Sequence, residues 1–372
     1  MSDNSINLYD MSLPDIENLM NKWDEPAFRA RQIYRHLYVH LGNDPNEMTD
    51  LPVALRERIA EKTHFGDLRV DRVLTGDHGM TRKALFAMQD NSPVESVLMI
   101  YPDRATVCIS SQSGCPMQCT FCATGKLGHL HDLTPGQIVE QVLWAARELN
   151  NVRKQAKGEI PGAISNVVYM GMGEPFNNYD NWWASVERLH DPTGFNMGAR
   201  NFTVSTVGLV PGILKLAEAD LPVNLAVSLH SADDKLRSEM MPVNKRYPIT
   251  ELIDAARTYT EKTRRRLSFE YVLLKEKNDF PEQALQLAGL LRGNVTTGKT
   301  MLFHVNLIPW NPVPGTSLNR SDRKRVINFQ KVLKEHGIPC TVRVERGTDI
   351  AAACGQLAGG DIAGIRDENS PD

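Results

Sequence analysis

Apolar residues recur three or four apart through the first part of the chain, the spacing of one buried helix face. MSLPDIENLMNKW (11–23), PAFRARQIYRHLYVHL (26–41) and LPVALRERIAEK (51–62) follow it, so residues 11–65 predict a small helical module. Pro26 is expected in the first turn of the second helix, where its missing N–H does no harm. VDRVLTGDHGMTRKALFAMQD (70–90) then reads as strands with turn residues between them.

From about residue 94 the rhythm changes. PVESVLMIYP and RATVCISS read as two strands of a hairpin, and TPGQIVEQVLWAARELN follows as a helix. Thr134 can cap that helix, Pro135 can open it and Gln137 can complete a capping box. Strand and helix patterns then alternate through SNVVYMG, NNYDNWWASVERL, FTVSTVG, PGILKLAEA, VNLAVSLH, DDKLRSEM, ITELIDAARTYTEK, LSFEYVLL, PEQALQLAGLL, MLFHVNLIPW, DRKRVINFQKVLKEHG and CTVRVER. About six βα units predict an α/β fold with a parallel sheet, open or curled into a barrel. Ligand chemistry in such folds gathers beyond the carboxyl ends of the strands. The cysteine cluster, GMGEP, STVG, SLH and WNP all fall there. The small-residue tail from residue 346 is expected to be mobile.

Composition narrows the setting. Neither a run of roughly 20 apolar residues nor a signal peptide is visible, so no membrane span and a cytoplasmic location are expected. A formal net charge of −3 does not advertise nucleic-acid binding, so any such binding must be local. Local basic patches exist at Arg29, Arg31 and Arg35; at Lys245 and Arg246; at Arg264, Arg265 and Arg266; and at Arg320, Arg323, Lys324 and Arg325.

Four of the six cysteines stand within CISSQSGCPMQCTFC (108–122). In a reducing compartment, clustered thiols point to a metal or to catalysis before a structural disulfide. Cys115, Cys119 and Cys122, spaced C-x3-C-x2-C, can hold three corners of a 4Fe–4S cluster and leave one iron open to a small molecule. Zinc would need a fourth ligand, for which Cys108, His129 and His131 are available; unligated thiols are the remaining alternative. An open iron beside a glycine-rich rim suits the amino and carboxylate groups of S-adenosylmethionine. Gly173 and Glu174 of GMGEP, with Ser205, Ser228, His230 and Asn311, are candidate contacts to it. Cys340 sits in an apolar strand and reads as packing. Cys354, among small residues, has no apolar period around it, and a loop can carry such a thiol into a site.

CPMQCTFCATG (115–125), GMGEP (171–175), STVG (205–208), AVSLH (226–230), PVNKRYP (242–248), NLIPWNP (306–312) and RGTDIAAACGQL (346–357) together resemble the radical S-adenosylmethionine RNA methyltransferases that act on C2 of adenosine. EPAFRARQIYRHLY (25–38) resembles the helical accessory domain of the same family. The resemblance runs from about residue 10 to 360, with one departure: Val207 stands where a small polar residue is expected.

The resemblance implies a partial (β/α)6 radical barrel over 94–345. A helical RNA-binding accessory domain with connecting strands would occupy 1–93, and a tail carrying a catalytic cysteine 346–372. It implies one 4Fe–4S cluster per chain, and Leu229 joins the cofactor contacts. The expected substrates are 23S ribosomal RNA and transfer RNA. In the implied route, Cys354 takes a methyl group from one S-adenosylmethionine. A second, cleaved at the cluster, makes that S-methyl group a carbon radical, which adds to C2. Glu95 accepts the C2 proton, and Cys108 releases the product through a Cys108–Cys354 disulfide, which thioredoxin or a similar reductant resets. A donor such as flavodoxin and a monomeric state are also expected. The rival readings are a sibling activity at C8 of the same ribosomal adenosine, a non-catalytic zinc-binding RNA module, and a radical enzyme acting on a peptide or metabolite.

Overall fold

The computed structural model describes residues 5–156, 159–292 and 302–357. One ten-stranded sheet dominates it. From edge to edge its strands are Arg69–Gly76, Thr81–Ala87, Pro93–Ile100, Ala105–Ile109, Asn166–Tyr169, Phe202–Thr206, Asn224–Ser228, Leu267–Leu273, Phe303–Pro309 and Cys340–Val342. Pairings up to Ala105–Ile109 are antiparallel. Every pairing beyond it is parallel. The helices Pro135–Gln155, Tyr179–His190, Val210–Ala217, Ile249–Thr263, Pro281–Arg292 and Arg323–Glu335 each connect one parallel strand to the next. Six strand–helix units therefore make the partial barrel, and the antiparallel strands extend it on one side. Strands covered on both faces need near-continuous apolar runs, which NVVY and NLAV supply.

Local chemistry sets several boundaries. The Thr134 hydroxyl accepts from the Gln137 N–H at 3.2 Å, and Gln137 Oε1 accepts from the Thr134 N–H at 3.0 Å, which completes the capping box. Two expectations are corrected. The second N-terminal helix is Phe28–Tyr38 with Ala27 at its N-cap, so Pro26 stands ahead of the helix, not in its first turn. CTVRVER pairs as a strand only over Cys340–Val342. Arg343, next along, still donates its N–H to the Leu307 carbonyl at 2.9 Å, and its side chain lines the central cavity.

The N-terminal helices Leu13–Lys22, Phe28–Tyr38 and Val53–Lys62 are fastened to the barrel's helices by polar contacts. The Gly136 N–H donates to Asp10 Oδ1 at 2.8 Å, and Arg147 Nε donates to the Leu41 carbonyl at 2.8 Å. Arg188 donates to the carbonyls of Tyr9 and Asp10. At the junction with the sheet, Glu140 accepts from the N–H groups of Asp67 at 3.0 Å and Leu68 at 3.2 Å. Gly66 adopts φ +84°, and a Cβ there would lie 2.1 Å from Glu140 Oε1, so only glycine fits.

Residues 347–357 of the tail are docked on the sheet and the cysteine loop, as described below. The part of the expected tail beyond Leu357, and the mobility expected of it, lie outside the described residues. Among the described residues no helix is long and apolar enough to cross a membrane.

Burial pushes the Glu140 pKa up to about 8, against the two N–H bonds that favour the carboxylate. A carboxyl whose folded pKa lies above its unfolded value contributes stability below the unfolded pKa and loses it as pH rises through the folded one. Glu140→Gln removes this titration. The stability of the variant relative to the parent should therefore rise between pH 5 and pH 8, by on the order of 1–3 kcal/mol in denaturant titrations. A difference constant with pH would contradict the buried, proton-binding carboxyl.

Candidate active site

The carboxyl ends of the parallel strands surround a cavity of about 1040 Å³, its solvent mouth included. Cys115, Cys119 and Cys122 line it, as do Gly173, Glu174, Ser205, Ser228, His230, Asn311 and Cys354. Leu229 does not. Its side chain is fully buried in the main apolar core, because it falls on the opposite side of the chain from its two polar neighbours.

The cysteine loop is tied down at both ends. The Cys115 N–H donates to the Gly128 carbonyl at 2.7 Å, and the Thr120 N–H to the Met240 carbonyl at 3.0 Å. Cys119 and Ala123 pack with Met240, Met241, Val272, Leu274, Trp310 and Val313. The Phe121 ring meets the His230 ring edge-on at 4.8 Å, and Trp310 Nε1 donates to the Phe121 carbonyl at 3.0 Å. Burial pushes the Cys115 thiol up to about 12 and the Cys122 thiol upward. It drives the Cys119 thiol well above its ordinary value, with repulsion from Cys122 and Cys115 adding to it. Left to themselves, three such thiols stay protonated. A bound cationic metal centre is what makes thiolates favourable in such a place. Three thiols that line one cavity are the donor set that a metal centre of this kind would use.

The rim residues divide by what they already bind. Glu174 is a brace: its carboxylate accepts from the Val207 N–H at 2.8 Å and the Phe176 N–H at 3.1 Å, joining the GMGEP and STVG loops. Burial pushes its pKa up to about 7. Gly173 has φ +102°, and a Cβ there would press on Gln112, so glycine is required. His230 Nδ1 accepts from the Val272 N–H at 3.0 Å, and burial pulls the imidazole down to about 3, so it is neutral. Asn311 donates to the Cys354 carbonyl at 3.3 Å, while its Oδ1 is buried without a hydrogen-bond partner among the described residues.

The tail brings Cys354 to this rim. The Ala123 N–H donates to the Gly355 carbonyl at 2.8 Å, and the Thr124 hydroxyl to the Leu357 carbonyl at 2.6 Å. Cys108 is not in the cavity wall. It packs in a small apolar cluster with Val97, Met172, Ile350, Ala352 and Leu357, against the tail. Burial raises its thiol pKa, and the nearby Cys354 adds to the effect. Glu95 is also buried outside the cavity wall, 3.5 Å from Lys83 Nζ, which itself donates to the Ala351 carbonyl at 3.3 Å.

Two site residues escape the sequence reading. Arg343 and Glu270 line the cavity, with Arg343 Nη1 4.0 Å from Glu270 Oε2. Asn306 Nδ2 donates to Glu270 Oε1 at 2.8 Å. Arg343 is held firmly in its charged form, chiefly by Cys354 and further by Glu270 and Cys108. The one available signal was a carboxylate in the middle of the otherwise apolar LSFEYVLL. The basic patches also divide. Arg31 and Arg35 are exposed. Arg265 bonds the Val223 carbonyl and Asn224, and Arg325 pairs with Asp279 at 2.9 Å, so these two serve the fold.

Two family models match the chain: the Radical SAM superfamily over residues 109–288, and the ribosomal RNA large subunit methyltransferase N-terminal domain over residues 6–64. A curated protein from Chloroflexus aurantiacus, described as a probable dual-specificity RNA methyltransferase RlmN, is 62% identical over 352 residues, covering 95% of this chain and 92% of its own. One of the same description from Roseiflexus sp. is 56% identical over 383 residues, covering 95% and 96%. The crystal structure of a radical SAM methyltransferase from Sphaerobacter thermophilus superposes with a TM-score of 0.89 at 46% identity, covering 95% of this chain and all of that one.

Mild oxidation of the anaerobic, metal-loaded protein should join Cys108 to Cys354 and leave Cys340 reduced, as read by non-reducing peptide mapping. Cys354 joined instead to a cysteine of the 115–122 loop would contradict this placement.

Proposed function

This chain belongs to the RlmN family of radical SAM RNA methyltransferases, and from that premise we propose that it methylates C2 of one adenosine in the peptidyl-transferase loop of 23S ribosomal RNA and of the adenosine 3′ to the transfer-RNA anticodon. One observation carries the reading: Cys354 lines the same cavity as Cys115, Cys119 and Cys122, and Cys108 lies within electrostatic reach of it. Adenine C2 is an electron-poor carbon with no lone pair, so it cannot attack a sulfonium methyl group directly. Two sulfurs near one metal-binding rim supply an indirect route.

The superfamily implies an iron–sulfur cluster and S-adenosylmethionine. Cys115, Cys119 and Cys122 would hold a 4Fe–4S cluster. Gly173, Ser205, Ser228 and Asn311 would face the cofactor, the partnerless Asn311 Oδ1 offering it an acceptor. When bound, the cluster supplies the electron that cleaves S-adenosylmethionine and starts radical chemistry. The rest belongs to the chain's own groups. Cys354, as thiolate beside the Arg343 guanidinium, takes the sulfonium methyl group onto its sulfur, and S-adenosylhomocysteine leaves. Once that S-methyl group has lost one hydrogen atom to the radical, its carbon adds to C2 and tethers Cys354 to the RNA. Glu95 accepts the C2 proton, and the surplus electron would return to the metal centre. Cys108, as thiolate, attacks the Cys354 sulfur, a disulfide forms, the released carbon takes up a proton, and the methylated RNA leaves; a dithiol reductant restores both thiols.

RNA contact falls to the N-terminal helices in this reading. Phe28 is 54% exposed, with the Arg29 guanidinium 4.7 Å from its ring centre, and Arg31 and Arg35 lie exposed on the same helix. An aromatic face among cations suits unstacked RNA bases and phosphates. The division into 1–93, 94–345 and 346–372, a flavodoxin-type electron donor, a monomeric state and a cytoplasmic site of action belong to the same proposal.

Cys108→Ala protein expressed in cells should carry RNA covalently attached through Cys354, detectable by mass spectrometry after nuclease digestion. Cys354→Ala should lose all methyl transfer while holding its iron. Cys108→Ala protein with an intact cluster and no attached RNA would contradict the tethered route.

A further inference from the structure

Arg237, on the short helix Asp234–Met240, is 1% exposed, and among the described residues its guanidinium bonds no carboxylate directly. Among the described residues it forms no ion pair. Its four hydrogen bonds go to neutral acceptors: Nε to the Leu229 carbonyl at 3.0 Å, Nη1 to Asn244 Oδ1 at 2.6 Å, and Nη2 to the carbonyls of Val207 at 2.8 Å and Ser228 at 3.1 Å. Asp234 acts on the guanidinium only from a distance, favouring its charged form, and is joined to it through Asn244, whose Nδ2 donates to Asp234 Oδ1 at 2.9 Å.

Hydrogen bonding explains why the cation is tolerated, but not why it is a cation. Removing an ion from water costs several kcal/mol unless a counter-charge meets it. The same carbonyls could be served by water or by a neutral donor. The helix bearing Arg237 is the one that anchors the cysteine loop. One turn beyond Arg237, the Met240 carbonyl accepts from Thr120, the residue after Cys119, and Met240 packs with Cys119. Arg237, drawn down by burial to about 10, stays a cation at neutral pH.

We propose that Arg237 is a positioning residue for the electron-accepting centre. It joins the strand ends at Val207 and Ser228 and supplies the fixed counter-charge of the anionic assembly that Cys115, Cys119 and Cys122 hold. This rests on the cluster reading above. Thiolate-held iron–sulfur clusters become more negative by one unit on reduction. A buried cation on the helix that packs against one ligand favours the reduced state and raises the reduction potential. His230 cannot serve instead, since it is neutral, and Arg343 stands with Cys354, Cys108 and Glu270.

The test is an EPR-monitored redox titration of the full-length, anaerobically reconstituted enzyme, with iron counted per chain. Arg237→Gln removes the charge and keeps one donor. Its reduction equilibrium should shift at least tenfold toward the oxidised cluster, which is about 59 mV for one electron. Arg237→Lys keeps the charge, and its potential should stay near that of the parent even though it cannot make four hydrogen bonds. An Arg237→Gln cluster with unchanged potential overturns the proposal. So does an Arg237→Lys cluster whose potential falls below the parent's, and this variant decides the matter if Arg237→Gln fails to fold. A parent enzyme that shows no iron–sulfur signal removes the underlying cluster reading, and is told apart because the failure then precedes any substitution.

Discussion

The active site depends on a backbone hydrogen bond between two distant parts of the chain, from the Ala123 N–H to the Gly355 carbonyl at 2.8 Å. It sets Cys354 beside the cysteine loop, and the neighbouring bond from Thr124 to Leu357 fixes the direction of the strap. Farther back, the Gly347 N–H donates to Asp77 at 2.9 Å and Gln356 reaches the Pro312 carbonyl at 2.9 Å. The apolar contribution is small, chiefly Ile350, Ala352 and Leu357. Each net hydrogen bond contributes about 1 kcal/mol. A strap held this way is far less costly to lift than a barrel strand, which suits the proposed route in which Cys354 meets both a cofactor and an RNA base.

Burial governs the electrostatics of the rim. It raises the carboxyls of Glu174 and Glu270 and all three loop thiols, and lowers His230. Groups that would otherwise be charged are held toward neutrality, while Arg237 and Arg343 remain cations. The site is therefore disposed to accept negative charge, as the proposed metal-held thiolates and nucleophilic Cys354 would require. Burial of these groups strengthens each such interaction.

Much of this was legible in the residues. The capping box at Thr134, the alternation of strands with helices, and the C-x3-C-x2-C spacing each follow from local chemistry that tertiary structure leaves intact. The Leu229 side chain lies away from the cavity because a motif names consecutive residues, whereas a strand end turns their side chains to opposite sides. Pro26 fell one step outside its helix, since a proline can precede an N-cap as easily as follow it. Glu270 and Arg343 were hidden inside apolar strand patterns, and only pairing across strands reveals that each answers the other. Arg265 and Arg325 looked like phosphate ligands until their fold-internal partners appeared.

The central claim is that three cysteine sulfurs leave one iron open for S-adenosylmethionine within reach of Cys354. Electron–nuclear double resonance on the reduced, reconstituted enzyme, with S-adenosylmethionine isotopically labelled at its amino nitrogen, addresses it directly. The account predicts hyperfine coupling from that nitrogen to the cluster, showing coordination at one distinct iron. A cluster spectrum unchanged by the labelled molecule, or a protein that takes up zinc and no iron, would contradict it.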